Sequence, residues 1–269
     1  LGELPLLKGE SEEELLRKAG ELLDHEPKLI ELRRGARWAV FVGDTHGDLE
    51  ASRRVIARYL RSEMKLIFLG DYVDRGPHSR ENIRYLLEQK LRHPEQVFLL
   101  QGNHEGWKVA RFSPADFWEG LPPELAAAYA EVLVKLPLAA VTPSGVIALH
   151  GALPDVPTLH DIDEIEPGSA PWRQITWGDW QELPGRELGE LWGRPRFGRR
   201  YFEELMERFG RRVLIRSHQP DAPPFLFDRR CVTIFTSSAY GGLRPERTVA
   251  LAPLQGALRS GSELILETV

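Results

Sequence analysis

WAVFVGDTHG, residues 38–47, sets the reading of this chain. Five apolar residues, Trp38 to Val42, give a short strand that stops at Gly43, with Asp44 and His46 immediately behind it. The same design recurs in KLIFLGDYVDRG (65–76), QVFLLQGNHE (96–105), GVIALHG (145–151) and RVLIRSHQ (212–219). Each apolar run ends at an Asp, Asn or His. A lone His or Asp at a strand end is ordinarily a cap or a surface residue. Carboxylate, amide oxygen and imidazole gathered at five strand ends are the ingredients of a metal site.

The composition sets bounds around this core. The 269 residues suffice for one large α/β domain, and a single domain over 1–269 is the economical expectation. An apolar fraction of 42% with 28% charged residues is that of a soluble globular protein. A formal net charge of −5 argues against a nucleic-acid surface and against an anionic membrane partner. No apolar stretch approaches the length of a bilayer span, and the first residues lack the pattern of a signal peptide. Cys231 stands alone, which fits a reducing compartment, so the expected location is cytoplasmic.

Between the motifs, strand and helix signals alternate. Ser11 and Glu14 open a first helix as a capping box, and Leu15, Leu16, Ala19, Leu22 and Leu23 give its apolar stripe before Pro27 stops it. Helices are expected over Leu49–Leu60, Ser79–Leu91 and about Arg199–Phe209. The stretch from Glu105 to Pro137 reads as wholly helical, clearest over Glu124–Leu136, and Pro154 to about Pro195 reads as irregular. After Val232 come short strands, VTIFTSSA, TVALAPL and ELILE.

The spacing of the ligands suggests two ions. Asp44 and His46, two apart in a turning segment, and Asp71 would hold one. Asp71, Asn103, His150 and His218 would hold the other, with Asp71 bridging. Paired cations ionise a shared water and clamp the oxygens of an in-line phosphoryl displacement. His104 follows Asn103 directly, so it is expected to point to the leaving group as a general acid, oriented by the Asp74 carboxylate. The alternative for Asp74 is a cap on the helix near Ser79. Arg75 carries a guanidinium able to fork onto two phosphoryl oxygens, with a surface ion pair as its plainer role.

GDTHG, GDYVDRG, GNHE, HGA and RSHQ together resemble the signature set of the phosphoprotein phosphatase family of Ser/Thr phosphatases, a branch of the calcineurin-like metallophosphoesterases. Leu136 to Ala140, Trp177-Gly178-Asp179 and IFTSSAYGG match in order as well, so the resemblance covers nearly the whole chain. It implies an α/β fold with a central β-sandwich flanked by helices and a dinuclear site at one sheet edge. It also implies direct phosphomonoester hydrolysis by a hydroxide between the ions, with the metal and acid roles on the residues named above.

A second phosphate-binding arginine is implied upstream of Phe202. Arg194 and Arg196 are both available, and spacing favours Arg196. Tyr240, in Ser237-Ser238-Ala239-Tyr240-Gly241-Gly242, is implied near the phosphate beside Asn103, while Gly241 replaces the cysteine of eukaryotic members. Ala152 follows the metal-binding His-Gly where the family usually has Gly. Arg216 and Asp179 resemble residues that support the ligands. Trp172, Trp177, Trp180 and Trp192 read as packing and loop anchors.

The mixed N and O donors suit manganese, iron or zinc, with manganese the expectation. The expected partner is a phosphoprotein or phosphopeptide substrate, with no nucleic acid and no membrane. The runner-up is a hydrolase of diadenosine tetraphosphate; the segment after GNHE, the Trp-Gly-Asp and the Tyr-Gly-Gly loop favour the protein phosphatase. A phosphodiesterase or nuclease is disfavoured by Arg75, and a silent scaffold by the complete ligand set.

Overall fold

The apolar runs are buried on both faces, and that dictates a layered structure. In the computed structural model, residues 11–32, 35–243 and 246–269 are described. The first half runs α1 (Glu12–Leu23), β1 (Leu29–Glu31), β2 (Trp38–Val42), α2 (Leu49–Tyr59), β3 (Met64–Phe68), α3 (Ser79–Arg92), β4 (Val97–Leu99), α4 (Asp116–Glu119), α5 (Pro123–Leu133), β5 (Ala139–Val141) and β6 (Val146–Leu149). The second half runs α6 (Ala170–Trp177), β7 (Asp179–Trp180), β8 (Glu187–Leu191), β9 (Arg194–Phe197), α7 (Arg199–Arg208), β10 (Val213–Arg216), β11 (Phe225–Leu226), β12 (Cys231–Thr233), β13 (Thr248–Pro253) and β14 (Ile265–Thr268).

Two sheets form the sandwich, ordered β1-β5-β6-β10-β12-β11 and β14-β13-β2-β3-β4. Alternation along β2 shows how it is filled. Ala39 and Phe41 point into the layer between the sheets with Ile67, Ala148, Ile215 and Val232. Val40 and Val42 point outward with Leu66 and Phe68, under α1, α2, α3 and α5. Ile147, Leu149 and Leu214 make the outer face of the other sheet, covered by Trp172, Ile175, Phe202 and Leu205 of α6 and α7.

β2, β3 and β4 are parallel, as are β6, β10 and β12, so the ligand-bearing strands end in the same sense within each sheet. A bridge between Asp44 and Phe235 joins the sheets at that end. Gly43 permits the approach, because a Cβ there would stand 2.3 Å from the Ile234 carbonyl oxygen. Among the described residues, no helix is long and apolar enough to cross a membrane.

Four expectations need correction. Residues 105–115 form turns rather than helix, which is confined to α4 and α5; Gly106 and Pro114 interrupt that stretch, and Glu105 is engaged elsewhere. The region expected to be irregular carries a 3-10 helix (Leu159–Glu164), α6 capped by the Ser169 hydroxyl, and a small sheet ordered β7-β9-β8. Of VTIFTSSA, only the start is a strand. The capping box of α1 is half formed: Ser11 Oγ accepts the Glu14 N–H, while the Glu14 carboxylate turns to Arg17.

Candidate active site

The loops after β2, β3, β4, β6 and β10 converge where the sheets meet. His150 Nε2 lies 3.1 Å from Asn103 Oδ1, 3.1 Å from His218 Nδ1 and 3.4 Å from Asp71 Oδ2. Beside this group, His46 Nε2 lies 3.5 Å from Asp71 Oδ2 and 3.8 Å from Asp44 Oδ2. Asp71 therefore belongs to two adjacent clusters of buried ligand atoms, one with His150 and His218 and one with His46 and His104. The six expected ligands, Asp44, His46, Asp71, Asn103, His150 and His218, are brought together.

The donor set fits divalent cations. His46 Nδ1 donates to the Val73 carbonyl at 2.7 Å, which leaves Nε2 as a buried lone pair with no protein partner. His150 Nδ1 is held by the Leu69 carbonyl in the same way, and its Nε2 faces the other ligands. Burial, aided by the charge of His104, drives the His46 pKa well below its usual value. Burial, with Arg194 and His150, does the same to His218. Both rings are neutral electron donors. Burial opposes ionisation of Asp71, but His150, His104 and His46 outweigh it and hold that carboxyl well below the usual range. Burial and Asp71 raise the Asp44 pKa. Burial would lower the His150 pKa, yet Asp71 and Asp44 carry it up to about 9. The carboxylates thus call for positive charge at the point where the lone pairs meet.

The local backbone is strained. His46, Asp71, Asp74, Arg75 and His218 all have φ between 40° and 70°, a region that non-glycine residues rarely adopt. Glu105 helps to hold it. This fully buried carboxylate accepts the N–H groups of Asp71 (2.8 Å), Tyr72 (2.8 Å) and Gly102 (2.9 Å), welding the second motif to the third. Burial, then Asp71, pushes its pKa up to about 7 against those bonds. Asn82 makes a similar weld between the first two motifs, donating to Thr45 Oγ1 and the Tyr72 carbonyl. Ser217 Oγ accepts the Asp44 N–H at 2.9 Å and ties the fifth motif to the first. The sequence reading assigned none of these three. Glu105 was within reach as the last residue of GNHE, whereas Asn82 and Ser217 carry no local signal.

His104 lies at the edge of the ligand cluster, paired with Asp74. Its Nδ1 is 2.6 Å from Asp74 Oδ2, and its Nε2 is 3.9 Å from Asp71 Oδ2. Burial opposes its charging, but Asp71 and Asp74 prevail and raise its pKa. Asp74 does not cap α3, which is preceded by His78; its second oxygen instead accepts the Phe117 N–H, in the first turn of α4, at 2.7 Å. Asp116 Oδ2 takes the Arg75 N–H, and Trp118 Nε1 donates to the His104 carbonyl. α4 is thus a brace for Asp74, Arg75 and His104. The exposed Arg75 guanidinium stacks 5.4 Å from the Tyr240 ring centroid.

Two placements differ from expectation. Arg194, not Arg196, is beside the ligands: it makes a bidentate pair with Asp179 (2.8 and 2.7 Å), whose Oδ1 is 3.7 Å from His218 Nε2. Arg196 instead donates to the Leu188 carbonyl across the hairpin at 3.2 Å. The β8–β9 bulge and the pairing of β9 with β7 decide this, and residue spacing cannot reveal it. Tyr240 is not free for phosphate, since its hydroxyl donates to Asp44 Oδ2 at 2.6 Å.

The tryptophans divide as well. Trp172 and Trp180 are buried packing residues. Trp177 faces His218 at 6.3 Å, and Trp192, 90% exposed, is no anchor. With Arg111 and Phe112, these last two line a groove of about 520 Å³. Phe112 also packs against the His104 ring, so the groove begins at the site.

Residues 38–222, which hold all the ligands, match the sequence model of the calcineurin-like phosphoesterases. The chain belongs to that family. The family uses a dinuclear metal site, in agreement with the two clusters sharing Asp71. The fold is also that of a protein serine/threonine phosphatase from Saccharomyces cerevisiae, 24% identical with a TM-score of 0.78 over 95% of this chain and 88% of that one. A candidate diadenosine tetraphosphatase is 17% identical with a TM-score of 0.54, over 90% and 98%. A cold-active protein-tyrosine phosphatase from a Shewanella species is 16% identical with a TM-score of 0.60, over 99% and 85%.

Proposed function

We propose that this phosphoesterase is a protein serine/threonine phosphatase acting on phosphomonoesters. The observation that carries the reading is the buried His104–Asp74 pair at 2.6 Å, with the imidazole pKa raised. A seryl or threonyl alkoxide is a poor leaving group and needs a proton as its bond to phosphorus breaks. A polyphosphate leaving group needs far less help. An imidazole oriented by a carboxylate that favours its charged form therefore suits an alkyl phosphomonoester. The groove walled by Phe112, Trp177 and Trp192 supports a polypeptide substrate, with room for side chains that flank the phosphoresidue.

Asp44, His46 and Asp71 would hold one divalent ion and Asp71, Asn103, His150 and His218 the other; manganese is our assignment, with iron and zinc chemically suited. When bound, such a pair acidifies water and offsets phosphoryl charge. Arg75, with Arg194 in the place expected for Arg196, would bind the phosphoryl oxygens, steadied by the Asn103 amide. His104 Nε2 delivers the proton to the departing oxygen while Asp74 holds Nδ1 and stabilises the ring's charge.

The second reading, a dinucleoside polyphosphate hydrolase, is favoured by exposed Trp192, whose face would stack on a nucleobase. Manganese-dependent hydrolysis of a phosphoserine or phosphothreonine peptide, alongside diadenosine tetraphosphate, separates the two. The proposal expects the peptide to be preferred and the rate to collapse in His104→Ala. A preference for the dinucleotide, with little effect of that substitution, would move the function to the second reading.

A further inference from the structure

Asp48, two residues past His46, has 7% exposure and gathers contacts from three directions. Its Oδ1 accepts the Ala51 N–H at 3.1 Å and caps α2. Its Oδ2 accepts the Ser238 N–H at 2.8 Å, fixing the loop that carries Tyr240. Arg247 then grips both oxygens, Nε to Oδ2 at 2.9 Å and Nη2 to Oδ1 at 3.0 Å, and reaches Glu50 at 3.2 Å. Beyond that junction, the Tyr240 ring packs on Phe235 and His46, its hydroxyl holds Asp44, and its face backs the Arg75 guanidinium.

A cap of α2 alone would need one carboxylate oxygen and no arginine. The second oxygen and the bidentate guanidinium serve the Tyr240 loop. The chain of contact from Arg247 through Asp48 and Ser238 to Tyr240 ends at Arg75, which faces solvent beside the ligand cluster.

We infer that Asp48 and Arg247 are positioning residues: they clamp the Tyr240 loop so that Tyr240 holds Arg75 ready for a phosphoryl group. The clamp sets binding of that group and leaves proton transfer by His104 untouched. This rests on the phosphomonoesterase reading given above.

The test compares wild type, Arg247→Met, Arg247→Lys, Asp48→Asn, Tyr240→Phe, Tyr240→Ala and the double variant Arg247→Met/Tyr240→Ala, all full length and loaded with manganese. KM and kcat for 4-nitrophenyl phosphate and the inhibition constant of inorganic phosphate are read for each. Arg247→Met is expected to raise KM and the phosphate constant together by about three- to five-fold, the scale of one cation–π contact. Its kcat stays within about two-fold. Arg247→Lys recovers part of the loss and Asp48→Asn reproduces it. Tyr240→Phe, which keeps the ring behind Arg75, has the smaller effect on phosphate.

In the Tyr240→Ala background, adding Arg247→Met changes little, because both act through one ring. Independent effects that multiply, or a fall in kcat at unchanged KM, would overturn the inference. A lowered melting temperature with unaltered phosphate affinity would reduce the pair to a helix cap, which also overturns it. If the wild type proves inactive on the ester, the functional reading fails by itself. Calorimetric phosphate binding then decides the clamp: weaker binding in Arg247→Met upholds it and equal binding refutes it.

Discussion

The ligand cluster and the β8–β9 hairpin lie on either side of His218 and are built on opposite terms. The ligands are almost wholly buried, and other motifs hold them in place, as the His104 N–H does for the Asp71 carboxylate and the Leu69 carbonyl for His150. The hairpin exposes most of Glu187–Leu191 and puts Trp192 into solvent, and it reaches the site through the Arg194–Asp179 pair. A site that must hold cations needs fixed geometry and low dielectric. A surface that reads the rest of a substrate needs reach and exposed aromatic area. Changes to the buried ligands and to His104 are expected to alter turnover, and changes on the hairpin to alter affinity.

The largest expected effect is at the acid. His104→Asn should lower kcat on a phosphoserine peptide by about a thousand-fold. The loss should be much smaller on 4-nitrophenyl phosphate, whose leaving group departs without a proton; equal losses on the two substrates would remove His104 from that role. Next comes the boundary between the regions. Arg194→Met should raise KM about ten-fold through loss of a forked guanidinium, and Arg196→Met should leave it within about two-fold. Steady-state kinetics of the pair would reverse the assignment if the order were inverted.

On the hairpin itself, Trp192→Ala should raise the peptide KM about three- to ten-fold while leaving 4-nitrophenyl phosphate kinetics and melting temperature alone. A fall in melting temperature would return Trp192 to a packing role.

The smallest effect concerns how the hairpin is moored. Asp155 accepts hydrogen bonds from Arg186 and Arg208 at 2.6 and 2.7 Å. Burial opposes its ionisation, but the two guanidinium groups outweigh burial and lower its pKa. A carboxyl with a folded-state pKa below its unfolded value stabilises the fold above about pH 4, and that share is lost as pH falls through the folded value. Asp155→Asn should therefore cost under about 1 kcal/mol at pH 7, since all three side chains are part exposed. Melting curves of mutant and wild type should converge in acid, once pH has fallen through the folded value. A gap that persists in acid would show that the bonds act without the charge.

The buried region was the legible one. Apolar runs ending in Asp44, Asp71, Asn103, His150 and His218 fix both the strands and what stands at their ends, because strand and ligand are contiguous in the chain. The left-handed backbone at His46, Asp71 and His218 was not legible, since glycine is the usual sign of such φ values. Glu105, Asn82 and Ser217 act across 33, 37 and 173 positions of sequence, a range local patterns do not report. Arg194 and Arg196 are two apart on one strand and chemically identical. Register and a bulge separated them, which is tertiary information.

Asp71 belongs to both candidate ligand groups, and the proposed function has it shared by two cations. Calorimetric titration of metal-stripped protein with manganese tests it most directly, with Asp71→Asn and His46→Ala beside the wild type. Two ions per chain are expected for the wild type, one for His46→Ala, and loss of both from the tight-binding range for Asp71→Asn. A single site in the wild type, or an Asp71→Asn protein that still takes up two ions tightly, would contradict it.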